Sequence, residues 1–141
     1  MPWHGPYQIG CLLEKCLDDG QDWPGDRGGV YVITHRRWRD EPNHESGVLY
    51  VGGNTGKSQR FCTRIGDLIA DMFGFYGHET GHHSGGQSIW KWCRRNHLNP
   101  LSLYIGWLTH ARCNRCAEAR ACEALRPKLN KKKPAQCKEH R

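Results

Sequence analysis

Two pairs of metal-ligand side chains lie near the C-terminal end of the 141-residue sequence. Cys113 and Cys116 are separated by two residues, as are Cys137 and His140, and twenty residues lie between the pairs. Two closely spaced pairs on either side of a structural element are the usual arrangement of a structural Zn²⁺ site. The spacing therefore predicts a zinc site that fastens the C-terminal tail to the start of the intervening segment. The alternative is two unrelated thiol pairs in a chain that holds eight cysteines.

A second group of residues combines phenol, guanidinium, carboxylate and amide side chains. Tyr31 ends the tripeptide Gly29-Val30-Tyr31, and Tyr50 begins Tyr50-Val51-Gly52, so that two tyrosines 19 positions apart each neighbour a glycine. Three further polar residues follow along the chain: Arg64, Glu118 and Asn130.

Hydrophobic periodicity predicts the elements that must position these residues. Residues rich in β-branched and aromatic side chains predict strands over 29–34, 48–51 and 101–108. Apolar residues at helical spacing predict helices near 9–17, 61–72, 88–96 and 114–125. The glycine-rich segment 74–86 is predicted to be a loop. This order predicts an α+β fold with a small three-stranded sheet flanked by helices, the last of which would carry the zinc site.

Taken in order, the two tripeptides, a helical arginine, a helical glutamate and a later asparagine resemble the signature of the GIY-YIG nuclease family. The resemblance covers about residues 28–130. It implies a three-stranded sheet with helices and a divalent-metal-dependent endonuclease that hydrolyses DNA phosphodiester bonds. RNA is not excluded as a substrate.

The resemblance also implies a role for each residue, and each role has a physical reason. Glu118 would hold one Mg²⁺ or Mn²⁺ ion, with waters and phosphate oxygens completing its ligands. Arg64 would pair with a non-bridging phosphate oxygen. Tyr31 or Tyr50 would take or relay the proton of the attacking water, and Asn130 would orient the site through its amide.

The catalytic arginine has two candidates one helical turn apart. In relatives with a short loop, the arginine follows the second tyrosine by about ten positions, and that distance favours Arg60. The same relatives have a bulky apolar residue three positions before the arginine, and Phe61 occupies that place before Arg64. We prefer Arg64, which makes Arg60 and Lys57 phosphate contacts.

The glycine-rich loop brings three histidines that could reach the substrate, His78, His82 and His83, of which we choose His83 as a nucleic-acid contact. The loop also spells the zinc-protease pattern H-E-x-x-H, but its glycines oppose the helix that this pattern requires.

Two other motifs are set aside. Tyr104-Ile105-Gly106 is predicted to be the third strand, and the P-loop-like segment 52–58 has one residue too few between its glycines.

The formal net charge is +7 and the sequence pI is about 9.1. Residues 120–141 hold eight basic and two acidic side chains, so most of this charge follows the predicted last helix. Lys131, Lys132 and Lys133 are predicted to contact the nucleic-acid backbone. Arg36, Arg37 and Arg39 form a second basic patch with Trp38, which could contact the backbone or stack on a base.

Three regions are expected. Residues 1–27 would be an N-terminal helical extension, 28–130 the nuclease-like domain and 131–141 a basic tail with zinc ligands. A mean hydropathy of −0.80 and the lack of a long apolar run predict no membrane span, and the first residues show no secretion signal, which favours the cytoplasm. DNA would be the partner, with a homodimer or a recruiting protein in addition. The alternative function is a zinc-stabilised nucleic-acid-binding domain that does not cleave.

Overall fold

The computed structural model describes residues 3–18, 23–25, 27–54, 60–77, 83–132 and 134–140. In chain order these form strand β1 (His4–Gln8), helix α1 (Ile9–Asp18), strands β2 (Gly29–Thr34) and β3 (Val48–Asn54), helices α2 (Phe61–Met72) and α3 (Ser84–Arg95), strand β4 (Tyr104–Thr109) and helix α4 (Asn114–Leu125). The predicted α+β class is confirmed. Within these ranges no helix combines the length and the apolar character that crossing a membrane requires.

The described strands form one antiparallel sheet in the order β1-β4-β2-β3, with four strands rather than the predicted three. The additional strand, β1, comes from the segment that was predicted as a helical extension. It contains Gly5 and Pro6, which weaken any strand pattern, and proline is tolerated in a sheet mainly on an edge strand. Gly5 is also required there, because its φ is +105° and a Cβ would come within 2.8 Å of the Ile105 carbonyl oxygen.

Different helices cover the two faces of the sheet. Tyr31 and Ile33 of β2 lie in a core shared with α1, α2 and α3, whereas Val30 and Val32 pack against α4. This alternation follows from the two-residue period of a strand. Burial of a side chain such as Leu68, which is fully enclosed, contributes about 1.5–3 kcal/mol.

Helix α3 begins at Ser84, inside the segment that was predicted to be a loop. The glycines that suggested a loop are instead packing positions. A Cβ at Gly86 would lie 2.6 Å from the Asp71 Cβ, so only glycine allows α3 to approach α2 so closely. The cost of glycine in a helix, about 1 kcal/mol, is offset by the packing of the two helices.

After α4 the chain turns back at Arg126, whose φ is +50°. The N–H groups of Lys128 and Leu129 then donate to the carbonyl oxygens of Val48 and Leu49 at 3.0 and 2.8 Å. The segment that follows α4, from residue 126 onward and called the tail below, therefore runs along the outer side of β3. It carries Asn130 next to Tyr50.

Candidate active site

The two tyrosines lie side by side on one face of the sheet. Tyr31 is paired with Gly52, and the next pair on the same face of the sheet joins Ile33 to Tyr50. The two phenol rings stack with their centroids 6.1 Å apart and their planes at 27°. A Cβ at Gly52 would overlap the Tyr31 hydroxyl, and one at Gly85 would overlap the Tyr50 ring. The glycines therefore leave space for the rings.

His83 contacts both tyrosines from the start of α3. It shares a hydrogen bond with the Tyr31 hydroxyl through Nε2, and its ring meets the Tyr50 ring edge-on at 5.9 Å. Its backbone N–H donates to Asp71 Oδ2 at 2.8 Å. Only 3 % of His83 is exposed. The structure thus places this side chain beneath the tyrosines and not on a surface loop, where a direct nucleic-acid contact was expected.

The hydrogen bonds of His83 determine where its proton lies. Burial, with the positive charge of Arg64 as a second cause, lowers the pKa of His83 to about 3, so the ring is neutral at physiological pH. Nδ1 accepts a hydrogen bond from the Gly86 N–H at 3.3 Å. A neutral imidazole has one N–H, which must then be on Nε2. His83 therefore donates to the oxygen of Tyr31.

Arg64 connects the tyrosines with Glu118. It hydrogen-bonds the Tyr31 side chain, and its charge lowers the pKa of both tyrosines and of Glu118. Burial has the larger, opposite effect, and it raises the pKa of all three groups. Both phenols are therefore protonated at neutral pH.

Glu118 reaches the same region from α4. Its side chain is half-buried, and a Cβ at Gly53 would come within 2.8 Å of Oε2. Gly52 and Gly53 face opposite sides of the sheet, so the Tyr31 hydroxyl and the Glu118 carboxylate approach β3 from opposite faces. The charge of Arg64 nevertheless acts on both groups, and Glu118 acts electrostatically on both tyrosines. The structure thus brings together Tyr31, Tyr50, Arg64 and Glu118.

Asn130 pairs with the backbone of β3. Its Oδ1 accepts from the Val51 N–H at 3.0 Å, and its Nδ2 donates to the Val51 carbonyl oxygen at 2.7 Å. The amide thus acts like one more residue of a strand beside β3. It holds the tail next to Tyr50.

The predicted nucleic-acid contacts are distributed differently. Arg60 is exposed and precedes α2, and Lys131 and Lys132 are exposed beside Tyr50. Arg36 and Arg37 lie between β2 and β3, outside the tyrosine cluster, and the Arg36 guanidinium donates twice to the Glu45 carbonyl oxygen. Four of the residues considered lie outside the described residues: Lys57, His78, His82 and Lys133.

The Cys and His ligands predicted for zinc come together at the start of α4. Their ligand atoms all lie within 4.8 Å of one another. The Sγ atoms of Cys113 and Cys137 are 3.8 Å apart, and Cys116 Sγ lies 3.3 Å from His140 Nδ1. Tetrahedral Zn–S bonds of about 2.3 Å would separate two sulfurs by about 3.8 Å. The cluster could therefore hold a metal such as zinc.

Sequence reasoning missed two supports of this site, Asp71 and Gly85. Asp71 is a carboxylate three positions after Leu68, on the face of α2 that is otherwise apolar, and that pattern is a readable signal of a buried polar contact. Gly85 carried no such signal, because its role depends on a ring from a distant strand. Comparison of the chain with protein-family models, curated proteins and solved structures finds no match.

Proposed function

We propose that the chain is a divalent-metal-dependent endonuclease of the GIY-YIG type, which hydrolyses DNA phosphodiester bonds. The observation that carries the proposal is that Arg64 and Glu118 both act electrostatically on Tyr31 and Tyr50, around strand β3. Phosphodiester hydrolysis needs a group that neutralises phosphate charge, a group that binds the metal and groups that move a proton. A guanidinium, a carboxylate and two phenols supply these functions.

Arg64 acts on the phosphate. Its guanidinium is permanently charged and donates to a non-bridging oxygen, where negative charge increases during the reaction. Its hydrogen bond to Tyr31 and its charge near Tyr50 fix the phosphate beside their hydroxyls. Arg60, which is exposed one turn earlier, contacts a neighbouring phosphate.

Tyr31 relays the proton that the attacking water must lose. Its oxygen accepts hydrogen bonds from His83 and Arg64. In this relay Tyr31 passes its own hydroxyl proton to a phosphate oxygen and takes the proton of the water in its place. The same two donors stabilise the phenolate whenever the hydroxyl proton leaves. Tyr50, which is half-buried, donates to the phosphate from the more exposed side.

Glu118 fits a Mg²⁺ or Mn²⁺ ion. These ions are often held by one or two carboxylates, while waters and phosphate oxygens complete the shell. Gly53 leaves the space that this carboxylate needs against the sheet. When bound, the ion would neutralise phosphate charge and lower the pKa of a water.

Cleavage of supercoiled plasmid in the presence of Mg²⁺ tests the proposal. Glu118→Gln and Arg64→Ala should each lower the rate by at least about 100-fold, since each removes a group that acts on the transition state. Glu123→Gln is the matched control, because Glu123 is an exposed carboxylate of the same helix. It should cleave at the wild-type rate, with circular dichroism confirming that every variant is folded.

Three outcomes would contradict the proposal or its assignments. An intact plasmid with the wild-type protein, or equal rates for wild type and Glu118→Gln, would exclude this mechanism. Retention of activity in Arg64→Ala and its loss in Arg60→Ala would assign the catalytic role to Arg60.

We also propose that the Cys113, Cys116, Cys137 and His140 cluster binds a structural Zn²⁺ ion. All four ligands are protein side chains, which is typical of structural and not catalytic zinc. The ion would fasten the tail to the start of α4. Both segments lie beside the active site, since α4 carries Glu118 and the tail carries Asn130.

Metal analysis of the purified protein tests the zinc site. We expect about one equivalent of zinc in the wild type and its loss in Cys113→Ser. Cys11→Ser removes an exposed thiol elsewhere and should keep the metal. Less than about half an equivalent in the wild type would contradict the proposal.

One observation favours the alternative of a binding domain that does not cleave. Tyr31 is fully buried, and burial raises its pKa well above the usual value. Such a domain would bind DNA and leave the plasmid intact, so the same experiment separates the two functions.

A further inference from the structure

Helix α3 and the tail form the two sides of a groove that begins at Tyr50. A cavity of about 250 Å³ lies at this end. Ser84 and Ser88 line it from α3, and Lys131 and Lys132 line it from the tail. Its volume and its position beside the Tyr50 phenol distinguish it from a flat basic surface.

Beyond the cavity, helix α3 continues with Lys91 and Arg95, which also line a separate cavity with Trp90 and Arg94. Ser84, Ser88, Lys91 and Arg95 follow one another at intervals of four, three and four residues, which places them in one stripe along the helix. Lys91 and Arg95 are exposed. The eleven steps from the first to the last of these residues span about 16 Å.

The tail side provides further positive charge. Lys128 lies with its Nζ 5.9 Å from the centroid of the Trp92 ring, so an aromatic face on α3 orients it. Lys131 and Lys132 follow it toward Tyr50.

Neither side of the groove carries an acidic residue. The sequence from Ser84 to Arg95 has none, and neither do residues 126–138. Among the described residues of α3 and of 126–138 no acidic side chain opposes the lysines and arginines, so their fields add along the groove. A polyanion is the partner that this charge distribution fits.

We propose that the groove between α3 and residues 128–132 binds the backbone of one DNA strand next to the reacting phosphate. This proposal rests on the proposed nuclease function. Each strand of duplex DNA carries one phosphate per about 3.4 Å of helix axis, so the stripe matches the axial length of about five nucleotides. Serine hydroxyls and lysine and arginine side chains are common donors to phosphate oxygens.

Fluorescence anisotropy with a labelled duplex, at several salt concentrations and without added Mg²⁺, tests the groove. Lys91→Ala/Arg95→Ala should weaken binding at least about tenfold and reduce the slope of log K against log salt by about 2, because two phosphate contacts are lost. Lys91→Arg/Arg95→Lys should restore both values. Arg112→Ala/Arg120→Ala removes the same charge from exposed positions on and just before α4, outside the groove, and should change the slope little.

Equal effects of the groove variant and the control would overturn the proposal, because net charge alone would then explain binding. An unchanged slope in the groove variant, or no DNA binding by the wild type, would also overturn it. Cleavage of plasmid with no groove effect would refute the groove alone. A groove effect without cleavage would instead refute the nuclease function.

Discussion

The burial of His83 predicts a specific loss of stability in mild acid. The neutral ring accepts from Gly86 and donates to Tyr31, and burial together with Arg64 lowers its pKa to about 3. In the unfolded chain the same side chain has a pKa of about 6.5. Below that pH the unfolded state binds a proton that the folded state does not, so acid favours unfolding.

The magnitude follows from the two pKa values. At pH 7.5 the imidazole is neutral in both states, and its titration changes stability little. At pH 5.0 the folded ring is still neutral, whereas the ring in the unfolded chain is protonated. This pH lies about 1.5 units below the unfolded pKa of about 6.5. At about 1.4 kcal/mol per unit, His83 alone should lower the free energy of unfolding by about 2 kcal/mol between these pH values.

Urea denaturation of the wild type and of His83→Asn at both pH values measures this contribution. Asparagine can still cap α3 but does not titrate, so other groups contribute equally to both proteins. The wild type should lose about 2 kcal/mol more than the variant. Zinc content is measured at each pH to confirm that both proteins carry the same metal. Losses that agree within about 0.5 kcal/mol would show that the ring is not held neutral by burial.

Two further substitutions test the site from β3 and from the tail. Gly53→Ala should raise the Mg²⁺ concentration for half-maximal cleavage at least about tenfold, because the new Cβ displaces Glu118 Oε2. Gly66→Ala meets nothing within 4 Å, so it should keep that value and stabilise α2 by about 0.5–1 kcal/mol. Asn130→Ala should lower the free energy of unfolding by about 1–3 kcal/mol, because Val51 loses a donor and an acceptor. A urea midpoint equal to that of the wild type would refute the stabilising role of this amide.

Elements with a strong local pattern were predictable. Helix α4 spans Asn114–Leu125 and α2 spans Phe61–Met72, as predicted, because their apolar residues repeat at helical spacing. Strand β1 and the first turn of α3 were not predictable. The glycines and proline in these segments have a low preference for strand or helix. Strand β1 is stabilised by its pairing with β4, and the first turn of α3 by its packing against α2.

The sequence by itself determined the residues that could do chemistry and the elements that carry them. Their types, order and short spacings are properties of the chain, as is the two-residue separation of Cys113 and Cys116 at the start of α4. The tertiary structure alone decided which side chains meet. Tyr31 and His83 are 52 residues apart, and their contact depends on the register of β2 and β3 and on the packing of α3 against α2. Burial, which sets the protonation of His83 and of both tyrosines, also exists only once the sheet and the helices have assembled.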